Sequence, residues 1–176
     1  MVVEAIAEIL GSAYSLDIPK LKNAALLHDI GKILVPDHIL NKESSLSEDE
    51  WQIMRQHPRE GKRFLQGTVF DDLSDWILYH HERIDGKGYY GLKGKDIPLE
   101  ARIIAVADTF SALRTYRAYR PARSIDDTIA IIRAAAGTQL DVDVVNIFLS
   151  MDKNVLENLQ CNCEICARRR KELEQI

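Results

Sequence analysis

Apolar residues recur at intervals of three and four along almost the whole chain, and nothing alternates residue by residue as a strand pair would need. In the opening segment Val2, Ile6, Ile9, Leu10 and Ala13 fall on one helical face. Pro19 opens a second helix, reading KLKNAALLHDI and ending near Gly31. Ser47 and Glu50 form an S-x-x-E capping box ahead of a third, expected over about residues 51–65. A fourth, LSDWILYHHE, ends before a glycine-rich loop, and Pro98 starts a long helix over LEARIIAVADTFSALRTY. Ser124 with Asp127 begins another that Gly137 stops. VDVVNIFL reads as one more helix, although its valines also suit a strand. Together these segments predict an all-α domain, a compact multi-helix bundle whose core is made from helix faces.

With 46% hydrophobic residues in 176 positions, the chain can bury a substantial core. A net charge of -4 argues against nonspecific binding to DNA, but a small anionic substrate needs only local positive charge. No apolar run approaches the ~20 residues of a membrane helix. The N-terminus lacks the basic start and long apolar stretch of a signal peptide, and the three cysteines, all within CNCEIC, form no secreted disulfide framework. A cytoplasmic protein is therefore expected. The composition shifts after about residue 153, which separates an expected domain, 1–153, from a charged, cysteine-containing appendage, 154–176. There Cys161, Cys163 and Cys166 form C-x-C-x-x-C with no fourth ligand nearby. Free thiols are favoured over a zinc site completed by another segment.

The chain's histidines are His28, His38, His57, His80 and His81. His28 adjoins Asp29, and Asp108 lies in the most apolar stretch of the long helix. An ionised carboxylate there is costly unless a cation or hydrogen bonds meet it. Taken singly, each group has an ordinary explanation: a helix histidine is usually a satisfied core or surface residue, and a buried aspartate usually caps or pairs. One pocket holding metal explains them together, since imidazole and carboxylate are ligands for zinc, iron and manganese. His28, Asp29, His57, His80, His81 and Asp108 exceed the roughly three protein ligands of a single catalytic ion. Asp29, with two oxygens, could bridge two ions. Two ions about 4 Å apart would clamp a phosphoryl group and hold a shared hydroxide as nucleophile.

HDIGK (28–32), VPDHILNK (35–42), His57, HHERIDGKGYYGLKGKDIP (80–98), ARIIAVADTFSAL (101–113) and RAYR (117–120) resemble the HD-GYP family of HD-superfamily phosphohydrolases. The match spans residues 20–150, with the motifs in order. The resemblance implies an all-α HD-domain bundle with a glycine-rich active-site loop. It implies a centre of two or three divalent ions, often iron or manganese, with zinc, nickel, cobalt and magnesium also admitted. The implied activity is hydrolysis of the bacterial second messenger cyclic di-GMP to the linear dinucleotide or the mononucleotide. By the same resemblance, His28 and Asp29 are the signature pair, Asp29 the bridge, and His57, His80, His81 and Asp108 the other ligands. Lys32 matches the family lysine beside the centre, able to hydrogen-bond a phosphate oxygen or help protonate the leaving oxygen. Arg117 and Arg120 match positions that hold substrate phosphates. The loop carrying Gly86, Gly88, Gly91 and Gly94 borders the active site, with Gly88 and Tyr89 as candidate substrate contacts. Implied partners are a GGDEF-type or other signalling protein and a second copy in a dimer, and in the family the module is typically fused to receiver or sensory domains.

The chain departs from the family pattern in several places. The Gly-Tyr-Pro signature reads Gly88-Tyr89-Tyr90, and without the proline the loop is expected to be freer. The second aspartate of D-x-F-D-A-L is Ser111, and R-P-Y-R has become R-A-Y-R with Ala118. Family members carry a ligand-bearing helix before HDIGK. The first helix here has no histidine, and the expected position falls at or before Met1. Either the chain is a fragment or part of one metal site is lost. Glu4 and Glu8, the carboxylates of that helix, are expected on a solvated face. Two alternatives stay open: a catalytically weak or inactive cyclic-dinucleotide-binding module, and an HD phosphohydrolase acting on another nucleotide phosphoester.

Overall fold

A computed structural model describes residues 2–115 and 122–159. Ten α-helices and short 3-10 turns, with no strand among the described residues, bear out the all-α expectation. The core is built from α1 (Val2–Ser12), α2 (Ile18–Leu27), α7 (Leu99–Arg114), α8 (Ile125–Ala135) and α9 (Val142–Leu149). On α1 the buried face is Val2, Val3, Ile6, Ala7 and Leu10, so Ile9 and Ala13 turn out of the stripe the spacing suggested. Glu4 and Glu8 both pair with Lys22 of α2. VDVVNIFL is helical: Asp141 caps it by accepting from the amides of Asp143 and Val144, and that local bond outweighs the valines' strand preference. α8 has its Ser124 cap and ends two residues before Gly137, whose φ of +79° suits glycine. Beyond it, α10 (Lys153–Asn158) buries Leu156 in the same core.

The third expected helix is two. α4 (Glu48–Met54) starts from the capping box as read, but α5 (His57–Leu65) begins anew with Pro58 in its first turn. In a continuous helix the amide of residue 58 would bond the Met54 carbonyl, and proline has no N–H to give. The fourth helix is likewise shorter than expected, α6 running only over Ser74–Leu78 before His80. α2 ends at Leu27, and a 3-10 segment, Ile30–Leu34, carries the chain across α5. Gly31 makes this crossing possible, because a Cβ there would stand 2.0 Å from the His57 carbonyl oxygen and 2.6 Å from the Gly61 nitrogen. Among the described residues no helix is long and apolar enough to cross a membrane.

Candidate metal centre

Helix ends build the site. The last carbonyls of an α-helix lack intrahelical partners, and three histidines take up one each. His28 Nδ1 lies 2.8 Å from the Ala25 oxygen, His57 Nδ1 2.8 Å from the Met54 oxygen, and His80 Nδ1 2.6 Å from the Ile77 oxygen. A carbonyl only accepts, so each Nδ1 must carry its proton, and each neutral ring keeps its lone pair on Nε2. The helix break at Pro58 thus has a use: it frees the Met54 carbonyl that orients His57.

The three Nε2 atoms point inward at Asp29. Asp29 Oδ1 is 3.3 Å from His57 Nε2 and 4.0 Å from His80 Nε2. Asp29 Oδ2 is 3.4 Å from His28 Nε2 and 2.6 Å from Lys32 Nζ. Asp108 approaches from α7, its Oδ1 3.7 Å from His28 Nε2. His81 completes the group, its ring 4.0 Å from that of His80 and 5.0 Å from that of His57. Asp29, His57, His80 and His81 offer ligand atoms that all lie within 4.8 Å of one another. The two oxygens of Asp29 therefore face different partners.

This arrangement fits a cation. The Nε2 atoms of His28, His57 and His80 and the Oδ1 of Asp29 are buried without a hydrogen-bond partner among the described residues. Buried polar atoms are almost always paired, and four unpaired atoms in one place could together hold a cation. Electrostatics agree. Burial opposes ionisation of Asp29, but His28, His57 and Lys32 outweigh it and hold the carboxyl far below its usual range. Asp108 is lowered too, burial being outweighed by His28. Burial takes His81 down to about 4 and, with the neighbouring rings, His80 well below its ordinary value. Both are neutral at pH 7, as ligands must be. On His28 the two carboxylates overcome burial and lift the pKa to about 10, so a cation binding there displaces a proton.

Around the cluster, Tyr89 lies against the His81 ring at 4.9 Å between centroids, with the Arg55 guanidinium 6.0 Å from the Tyr89 ring. Gly88 packs on the Glu82 and Arg83 backbone, where a Cβ would stand 2.6 Å from the Glu82 Cα. A cavity of about 390 Å³ opens beside His80, His81 and Asp108 and runs toward Thr109, Arg83 and Gln139. Every sequence-derived candidate that the structure describes is therefore gathered here: His28, Asp29, Lys32, His57, His80, His81, Gly88, Tyr89 and Asp108. Arg117, Arg120, Ala118, Cys161, Cys163 and Cys166 lie outside the described residues. Sequence reading missed Arg83 and Gln139, which join the cavity from positions 56 residues apart, and Glu82. Glu82 did carry a signal, an acid directly after two candidate ligands. At the proline position of the signature the Tyr90 amide, a donor that proline lacks, donates to Glu82 Oε1 at 2.7 Å.

Comparison with known proteins agrees with the all-α fold. The sequence profile described as HD domain matches residues 2–144. Over 148 residues, 82% of the chain, it is 44% identical to the cyclic di-GMP phosphodiesterase response regulator RpfG of Xanthomonas campestris. It is 35% identical over 150 residues to the 3'3'-cGAMP-specific phosphodiesterase 2 of Vibrio cholerae. The chain spans 39% of the first relative's length and 28% of the second's. Among solved structures, Bd1817, an HDG"Y"P protein from Bdellovibrio bacteriovorus, superposes with a TM-score of 0.67 over 89% of this chain and 50% of its own, at 20% identity, a likeness of fold. The chain belongs to the HD-domain family, within the HD-GYP group that its motifs mark.

Proposed function

We propose that the chain is a metal-dependent phosphodiesterase that opens a cyclic dinucleotide, cyclic di-GMP first among them. The observation that carries this reading is the convergence of three unpaired imidazole Nε2 atoms on one partly buried carboxylate. His28, Asp29, His57, His80, His81 and Asp108 would hold the divalent ions, two in number and iron or manganese by this reading. Bound there, the ions supply Lewis acidity, making a water nucleophilic near neutral pH and offsetting charge on the phosphate.

The chain's own groups do the rest. Asp29 holds the two halves of the centre in register through its two oxygens. Lys32, 2.6 Å from Asp29 Oδ2, orients that carboxylate and brings a proton donor toward the leaving oxygen. Tyr89 covers His81 and limits water at that edge. The cavity, about 390 Å³, is of ligand size and takes the nucleotide beyond the scissile phosphate. Arg117 and Arg120 are the proposed holders of the phosphates. This reading puts the domain in the cytoplasm with the messenger, and a GGDEF-type or other signalling protein is its proposed partner. The relative named for 3'3'-cGAMP supports a second reading, in which one guanine is replaced by adenine.

The test is turnover of cyclic di-GMP and 3'3'-cGAMP by protein loaded with Mn²⁺ or Fe²⁺, with Asp29→Ala beside it and metal content measured in both. Product from the wild type alone supports hydrolysis, and the faster substrate identifies the messenger. Tight binding without product would replace the enzyme with a binding module.

A further inference from the structure

The glycine loop is held from inside by one side chain. Glu82 is 4% exposed. Its Oε1 accepts the Tyr90 backbone N–H at 2.7 Å, and its Oε2 is buried with no hydrogen-bond partner among the described residues. Gly88 lies on the same carboxylate, where a Cβ would stand 2.8 Å from Oε1. The Tyr90 ring meets Tyr79 edge-on, centroids 6.0 Å apart, outside the loop. Immediately before the residue whose amide Glu82 holds, Tyr89 is laid on His81, 4.9 Å away. Residues 82–90 thus form a closed ring of chain, and the hydrogen bond that closes it is a backbone amide. Any residue but proline can supply it. A proline at position 90 would leave both oxygens of a buried carboxylate unpaired, which is costly.

The geometry points to Tyr90 as a positioning residue: through its backbone amide it closes the 82–90 loop on Glu82 and so fixes Tyr89 against His81. Tyrosine at the proline position of the signature exchanges ring stiffness for a hydrogen bond, and order in the loop is kept. Only the kinetic part of the test rests on the phosphodiesterase reading.

Variants at both ends of the bond separate the amide from the ring. Tyr90→Ala keeps the N–H and removes the ring, whereas Tyr90→Pro removes the N–H. Glu82→Gln keeps an acceptor oxygen, and Glu82→Ala removes it. Tyr90→Pro and Glu82→Ala are each expected to raise KM about tenfold or more with a smaller change in kcat. Tyr90→Ala and Glu82→Gln stay within about threefold of wild type, and the Tyr90→Pro, Glu82→Ala double variant is no worse than the worse single one. A purely stabilising contact would lower Tm and leave KM unmoved in an assay run well below Tm. Hydrogen exchange reads the bond without any activity: the Tyr90 amide should be protected about a hundredfold in the wild type and lose that protection in Glu82→Ala. If the wild type turns over no dinucleotide, or Tyr90→Pro does not fold, exchange in the two Glu82 variants decides. A Tyr90→Ala variant as impaired as Tyr90→Pro, or a wild-type Tyr90 amide exchanging at the free-peptide rate, overturns the proposal.

Discussion

Helix α7 carries two buried ionic sites six residues apart, and they are built to opposite rules. At its start Arg102 donates from Nη1 to Asp141 Oδ2 at 2.6 Å and from Nε to the Ile97 carbonyl at 3.0 Å. The other Asp141 oxygen accepts the amides of Asp143 and Val144 at 2.8 and 3.2 Å. Both Asp141 oxygens are used, and the pair ties α7 to the cap of α9. Further along, Asp108 joins Asp29 and three histidines whose inward atoms have no partner among the described residues. Both regions are polar and buried. The first satisfies both carboxylate oxygens within its own chain, and the second leaves three Nε2 atoms and one carboxylate oxygen unpartnered among the described residues. Unsatisfied polarity, more than polarity itself, separates the candidate site from the scaffold.

That contrast can be broken by experiment. The largest effect is expected from Asp29→Ala: turnover falls by on the order of 10³-fold or more, bound metal drops in elemental analysis, and the metal-free protein unfolds at a temperature close to wild type. Next comes Asp141→Ala, the mirror case. It should cost about 3 kcal/mol in urea unfolding, because it strands a buried guanidinium and removes a helix cap, while metal content stays unchanged. If Asp141→Ala loses metal, or Asp29→Ala destabilises the metal-free protein as much as Asp141→Ala does, the distinction fails.

Metal addition sharpens the same comparison. Mn²⁺ at a hundred times its dissociation constant should stabilise metal-depleted wild type by about 2.7 kcal/mol, read as a rise in Tm. The rise should vanish in Asp29→Ala and persist in Asp141→Ala. The smallest effect is acid sensitivity. Burial raises the Asp141 pKa, but Arg102 and the cap amides outweigh it and hold the group below its ordinary value. A carboxylate with a folded pKa below its unfolded one contributes fully above about pH 4 and loses that contribution as pH falls through the folded value. The stability gap between wild type and Asp141→Asn, measured by urea unfolding from pH 7 to pH 2, should therefore be constant down to about pH 4 and shrink below it.

Most of the candidate site was readable because its chemistry is expensive in the wrong setting. Asp108 inside IIAVADTF, and His28 with Asp29 at the end of an apolar helix, each have an ordinary explanation singly, but one metal pocket explains them together, and the family resemblance pointed the same way. The structure brings these groups and the other three histidines together. The loop was less readable. That Tyr90 would pin it depends on a carboxylate eight residues earlier turning back under the chain. Nor did the spacing reveal the break before α5, although Pro58 was the sign. The two arms differ in burial, since α4 buries no residue while α5 buries His57, Pro58, Gly61 and Leu65.

What the sequence by itself determined was the helical period, the caps and the inventory of ligands, because these depend on neighbours within a few residues. The tertiary structure alone decided which lone pairs stay open, that Gly31 lets one segment cross another at van der Waals distance, and that Arg102 finds Asp141 39 residues away. Those outcomes depend on where separate helices end in space. No local pattern encodes that position, because it follows from packing every apolar face at once.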